Sequence, residues 1–177
     1  KSVIVVSDEI DKFNLNYKNL IKTIQKKPLG TGDAVKKVIP LLKNFEGFIL
    51  ICFADTPFIT PKLLKKIVKS LNVGNELVLT GFKKEERNRY GKIILDNNKK
   101  PCEILEFNDL KGKKLISNFC NGGIMGIHSS CLKHLQKIKK NSLSGEYYLT
   151  DIVKILSNEK KNISFIEIDE KEIIGIN

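Results

Sequence analysis

The sequence predicts an α/β domain built on a mixed sheet flanked by helices. Three observations carry this reading. Apolar, β-branched bursts of strand length recur along the chain, helical periodicities separate them in the N-terminal half, and residues 76–107 are strand-rich with turn residues between the strands. Alternating strand and helix predicts parallel βαβ units at the start; the middle predicts antiparallel or mixed pairing. The 177 residues fit one domain with room for a substantial core.

Taken in order, SVIVVS (2–7) is the first strand pattern. DAVKKVIPLLKNF (33–45) puts Val35, Val38 and Leu42 on one helical stripe, with Pro40 as a bend or early stop. GFILICF (47–53) is apolar on both faces, as in a strand covered by helices. TPKLLKKIVKSL (60–71) has Thr60 as N-cap and Pro61 in the first helical position, then Leu63, Leu64, Ile67, Val68 and Leu71 at helical spacing. ELVLTGF (76–82), GKIILD (91–96), CEILEF (102–107), NGGIMGIH (121–128) and ISFIEID (163–169) read as strands, with Asp96, Asn97 and Asn98 forming a turn. SGEYYLTDIVKILSNEK (144–160) reads as an amphipathic helix with Glu146 near its start, where the helix dipole favours an acid.

The formal charge of +11 invites a polyanionic partner, but 29 of the 31 basic residues are lysines; only Arg87 and Arg89 are arginines. Base reading and bidentate phosphate recognition favour arginine, so no nucleic-acid partner is expected; a positive field that draws in small phosphorylated substrates is. No apolar run reaches the length of a membrane span, and acids follow Ile4, Val5 and Val6 at once, so neither a membrane segment nor a signal peptide is expected. Cys52, Cys102, Cys120 and Cys131 lack C-x-x-C spacing, and His128 and His134 lie six apart. That pattern points to reduced thiols in a cytoplasmic protein and no structural zinc.

Two stretches stand out chemically. In PLGTGDA, Gly30 and Gly32 open the backbone to close approach, Thr31 adds a hydroxyl, and Asp33 suits the cap of the following helix; a plain turn that starts a helix explains the same residues. In FILICFADTPF an apolar strand runs into Asp55. Ligands of open α/β sheets gather at carboxyl strand ends, and one carboxylate there suits Mg²⁺, which takes one or two protein oxygens and completes its shell with water and phosphates. A cap for the Thr60–Pro61 helix explains Asp55 equally well. Elsewhere Tyr90 and Gly91 open a strand, Glu103 and Glu106 fall on opposite strand faces, and Asn121 precedes a Gly-Gly pair, where it serves a turn or a sugar group.

In order, LGTGDAV, FADTPFI, YGKIILD…ILEFND, NGGIMGI, SGEYYLTDIV and the terminal IIGIN resemble the uridylyltransferase domain of bacterial N-acetylglucosamine-1-phosphate uridylyltransferase. The resemblance covers almost the whole chain, and GEYYLTD with GIN is its most specific part. It implies a Rossmann-like nucleotidyltransferase fold with a mixed, mostly parallel sheet. It implies transfer of uridylyl from UTP to N-acetylglucosamine 1-phosphate, giving UDP-N-acetylglucosamine and pyrophosphate with Mg²⁺. By the same resemblance, Gln25, Gly30 and Thr31 hold the uracil, Phe53 and Ala54 lie near the ribose, and Gly91, Glu106 and Asn121 contact the amino sugar. Asp55 and Asn177 are the two protein ligands of Mg²⁺. The parent would be a bifunctional homotrimer with a separate acetyltransferase domain.

Departures from that pattern set further expectations. The family's Gly-rich loop after the first strand has no counterpart here, and Met125 is the only methionine. Residues 1–177 therefore read as a partial nucleotidyltransferase domain whose N-terminal strand and loop are missing, weakly active or inactive alone. Ala54 replaces a usual glycine, Phe53 a common tyrosine, and Asp33 a common histidine, the last with no expected effect on chemistry. The competing readings are a sugar-phosphate nucleotidyltransferase using dTTP or CTP and a nucleotide-sugar binding module without turnover.

Overall fold

The computed structural model describes residues 1–12, 18–85, 88–110 and 117–174. They belong to two units, Lys1–Phe45 with Leu132–Ile152, and Glu46–Cys131 with Val153–Asn177.

In the first unit, β1 (Ser2–Val6) ends at Ser7, whose hydroxyl caps the short α1 (Asp8–Asp11) by accepting from Ile10 N–H. β2 (Leu20–Ile24) pairs parallel with β1 from Ser2↔Leu20 to Val6↔Ile24, and Gln25 N–H extends the ladder onto Val6 O. The sequence reading missed β2, whose five residues carry no alternation to separate them from loop. α2 (Thr31–Val38) then packs on this pair and passes into a 3₁₀ turn, Ile39–Leu42. Pro40 lies in that turn, where the expected stop falls; proline has no N–H to continue the α pattern. α4 (Leu132–Leu135) packs against α2 and leads into the segment 138–149.

In the second unit, β3 (Phe48–Ile51) precedes α3 (Pro61–Asn72), and β4 (Leu77–Lys83), β5 (Lys92–Leu95), β6 (Pro101–Leu105), β7 (Phe119–His128) and β8 (Ile163–Glu167) follow. α3 starts as expected, with the Thr60 hydroxyl accepting from Leu63 N–H and Pro61 in the first turn. It buries Leu63, Ile67 and Leu71 into a core with Val78, Phe82, Cys120 and Ile124. At roughly 2 kcal/mol per buried aliphatic side chain, that face contributes on the order of 6 kcal/mol.

The sheet runs β6-β5-β7-β4-β8, with β3 also on β7. The α/β class and mixed sheet match the expectation; the balance of directions does not. Among the described ladders of this sheet only β4–β8 is parallel; β5–β6 and the ladders of β7 with β3, β4 and β5 are all antiparallel. One long strand answering three neighbours makes the sheet mainly antiparallel. Among the described residues β3 has β7 as its one partner and is half-buried throughout, so it is not the doubly covered strand the apolar run suggested.

The longest sequence-predicted helix is also shorter than expected. α5 covers Asp151–Asn158 only. Residues 144–149 form other bonds: Gly145 has φ +74°, Asn141 N–H donates to Glu146 O, and Tyr147 N–H donates to Leu29 O. Glu146 therefore lies in irregular backbone next to the Lys140↔Tyr147 bridge, not at a helix start.

Candidate active site

In the first unit, Gln25, Gly30 and Thr31 come together. The backbone of Tyr147 lies along the glycine turn, accepting from Gly32 N–H and donating to Leu29 O, both at 2.8 Å. The Thr31 hydroxyl accepts from Leu149 N–H at 3.1 Å. Gly30, at φ +99°, is the N-cap of α2, and a Cβ there would stand 2.6 Å from Tyr147 O; one at Gly32 would stand 2.9 Å from the same atom. The two glycines thus serve a close approach between two stretches of the same unit, a role the sequence left undistinguished from ligand approach. Lys36 fixes the segment from the side, with Nζ donating to Ile138 O at 2.6 Å and lying 4.5 Å from the Tyr147 ring centroid.

Asp33 is not the cap. It lies within the first turn of α2, buried, and accepts from Gln25 Nε2 at 2.8 Å. The same Nε2 donates to Gly30 O at 3.1 Å.

In the second unit the edge of β7 is shared. Its last residues pair with β3 up to Ile51↔Met125, and its second residue pairs with β5 at Lys92↔Cys120. Between these ladders lies the stretch 121–124, and here the sequence-predicted residues gather. Asn121 N–H donates to Gly91 O at 2.8 Å. A Cβ on Gly91 would stand 3.1 Å from Glu106 Oε2, so Glu106, just past the end of β6, lies beside Gly91 and Asn121. Gly123 has φ +79° and takes the Phe53 ring against it, where a Cβ would meet Phe53 Cε2 at 2.7 Å.

Glycines at 122 and 123 let β7 bend where the β4 ladder shifts register, and Thr80 Oγ1 holds the bend by donating to Ile124 O at 2.8 Å. Asn121 Oδ1 accepts from Gly123 N–H at 3.1 Å, and its Nδ2 donates to no described residue.

Phe53, Ala54 and Asp55 form the exposed turn that leaves β3. Thr56 holds this turn by donating its hydroxyl to Phe53 O at 2.8 Å, and Thr60 caps α3. The Asp55 carboxylate makes no hydrogen bond or ion pair with any described residue, so the cap alternative fails. A solvent-facing carboxylate at a strand end fits Mg²⁺, which needs few protein oxygens. Among the described residues no group of three or more His, Cys, Asp or Glu side chains is placed to hold a metal. Asn177, the other expected ligand, lies outside the described residues.

Cys120 and Cys131 are buried, Cys102 is half-buried and Cys52 is exposed beyond the end of β3; none of the four is in a disulfide. Sequence reasoning missed Lys92, wholly buried, with Nζ donating to Asn88 Oδ1 at 3.1 Å and lying 3.0 Å from Cys120 Sγ. Among the described residues no helix is long and apolar enough to cross a membrane.

This fold is that of the nucleotide-sugar pyrophosphorylases. A nucleoside-diphosphate-sugar pyrophosphorylase from Vibrio cholerae RC9 matches 99% of this chain and 76% of its own, with TM-score 0.67 and 14% identity. A UDP-glucose pyrophosphorylase solved with UDP-glucose matches 92% and 70%, with TM-score 0.70 and 17% identity.

In sequence the chain is similar to part of the bifunctional protein GlmU. It is 38% identical to that of Bartonella bacilliformis over 161 residues (90% of the chain, 36% of the relative). Against Ruegeria sp. strain TM1040 the identity is 31% over 155 residues (87% and 34%), and against Thermodesulfovibrio yellowstonii 32% over 174 residues (97% and 37%). The chain thus spans about a third of the length of these relatives. No protein-family model matches it.

Proposed function

We propose that residues 1–177 belong to a nucleotidyltransferase domain of a protein that transfers uridylyl from UTP to N-acetylglucosamine 1-phosphate in the cytoplasm, yielding UDP-N-acetylglucosamine and pyrophosphate. The observation that carries the reading is the gathering of Gly91, Glu106, Asn121 and the Phe53–Asp55 turn around residues 121–124 of β7, in a chain similar to GlmU over most of its length. Asn121 Nδ2 is left to donate to the amino sugar, and Glu106 beside the bare Gly91 backbone accepts from a sugar hydroxyl. Gln25, Gly30 and Thr31 serve the base; Phe53 and Ala54 serve the ribose side.

Asp55, with Asn177, would hold Mg²⁺, which when bound neutralises charge on the transferring phosphate. The protein's own contribution is positioning: the sugar phosphate is aligned for in-line attack on the α-phosphorus, with pyrophosphate leaving opposite. No side-chain nucleophile takes part. The parent protein is proposed to be a homotrimer.

Calorimetry on the full-length protein with UTP, CTP and dTTP tests the nucleotide. Tighter Mg²⁺-dependent binding of CTP or dTTP would assign a different sugar-phosphate nucleotidyltransferase, and binding without any pyrophosphate release a non-catalytic module. Asp55→Ala is expected to lower turnover by about a thousandfold, as loss of a charge-stabilising group does, while sugar-phosphate affinity stays within about threefold. A near-normal rate refutes the metal assignment.

A further inference from the structure

The amide of Gln25 has its two N–H hydrogens committed to two groups that only accept, the Asp33 carboxylate (2.8 Å) and the Gly30 carbonyl (3.1 Å). Rotating the amide by half a turn would set its oxygen against both, so the orientation is fixed and Oε1 faces the other way as an acceptor. Asp33 is itself held: it is 8% exposed, and Lys37 Nζ, one turn along α2, lies 3.5 Å from its second oxygen.

We propose that Asp33 is the positioning residue for base selectivity. It locks Gln25 so that an acceptor, and never a donor, is offered to the nucleotide. Such an acceptor takes the N3–H of uracil or thymine and repels cytosine, whose N3 carries a lone pair instead of a hydrogen. This revises the expectation that an acid at position 33 has no bearing on the chemistry. The inference rests on Gln25 as the base contact.

The experiment measures Kd for UTP and CTP on the full-length protein, wild type and variants, by calorimetry. Losing a charge-assisted hydrogen bond releases the amide to rotate, so in Asp33→Ala the ratio Kd(CTP)/Kd(UTP) is expected to fall about tenfold. Asp33→Asn, whose Oδ1 still accepts from Nε2, is expected to keep the ratio within about threefold of wild type. In ¹⁵N-labelled wild-type protein the Gln25 side-chain NH₂ resonances should stay slowly exchanging and keep their shifts when UTP binds. This last measurement needs no variant to fold. A wild-type protein with no preference for UTP over CTP overturns the role of Gln25. A preference that survives Asp33→Ala unchanged, or Gln25 NH₂ signals that move as donors onto the base, overturns the role of Asp33 alone.

Discussion

Replacing Gly30 by alanine tests whether the glycine turn is built to receive the Tyr147 backbone. Gly30 has φ +99° and ψ 172°, a region that residues with a Cβ essentially avoid at about 1–3 kcal/mol. Alanine's smaller unfolded-state entropy offsets about 0.4–1 kcal/mol of that. The new Cβ would also lie 2.6 Å from Tyr147 O and 3.0 Å from Tyr147 N, and both are backbone atoms with no rotamer to change. Relief requires the segments to part, weakening the Gly32–Tyr147 and Tyr147–Leu29 hydrogen bonds, each worth about 1 kcal/mol net. The sum is about 3 kcal/mol. With a urea slope of about 2–3 kcal/mol/M for a chain of this size, the unfolding midpoint should fall by about 1–1.5 M. Gly74→Ala is the matched control, because φ there is +97° but nothing stands within 4 Å of its Cβ. It should cost only the backbone part, about 1 kcal/mol after the unfolded-state offset. Amide hydrogen exchange at Gly32 and Tyr147 should accelerate in Gly30→Ala and stay unchanged in Gly74→Ala. Equal midpoints for the two variants would refute the docking argument.

Two further outcomes follow from a buried amine and an ion-paired carboxylate in the second unit. Lys92→Met keeps the volume and removes a buried amine, while Asn88 Oδ1 keeps the Tyr90 N–H at 3.1 Å. Thermal unfolding should therefore show unchanged stability or a gain of about 1–2 kcal/mol, and a loss above about 2 kcal/mol would contradict it. Burial pushes the Glu76 carboxyl up, but hydrogen bonds from Lys161 Nζ (2.8 Å) and Asn162 N–H (3.3 Å), with the Lys161 charge, outweigh it and hold the carboxyl below its usual range. A depressed folded-state value means stability present above the ordinary glutamate range and lost as pH falls through that range and below. Glu76→Gln should flatten that acid limb in a urea series taken across it; an unchanged slope would remove Glu76 from the account.

Much of this architecture was legible because long apolar periods leave few choices. α3 was readable to its cap, since Thr60, Pro61 and the Leu63–Ile67–Leu71 spacing all point the same way. Most strands were readable from β-branched bursts, β2 excepted, and the antiparallel β5–β6 pair falls in the stretch where such pairing was expected; nothing local in GFILICF, by contrast, says that its described neighbour runs antiparallel. SGEYYLTD failed as a helix because its backbone groups are taken by Leu29, Thr31 and Gly32, more than a hundred residues earlier, a tertiary demand that overrides periodicity. The Gly91–Glu106–Asn121 cluster followed from the resemblance, whereas the Gln25–Asp33 bond had no sequence signal beyond an unusual acid.

The two glycine-bearing turns end up with opposite duties. Around Gly30 and Gly32 the backbone is turned toward its own chain: Gly32 N–H, Tyr147 N–H and the Thr31 hydroxyl already have partners. Under the proposed function, chemical choice there falls to a side chain, the Oε1 of Gln25, whose direction is set by the acid that binds the other end of the amide. Around Gly91 and Gly123 the logic reverses. The gap between the β3 and β5 ladders on one edge of β7 lies beside groups with no partner among the described residues, Asn121 Nδ2 and the Asp55 carboxylate. On the proposed function, a turn whose polar atoms are internally satisfied would discriminate by shape and by one oriented group, and an unfilled stretch of strand edge would bind through several. Base selectivity should therefore respond to single substitutions at Asp33 or Gln25, while sugar binding should erode gradually across Gly91, Glu106 and Asn121.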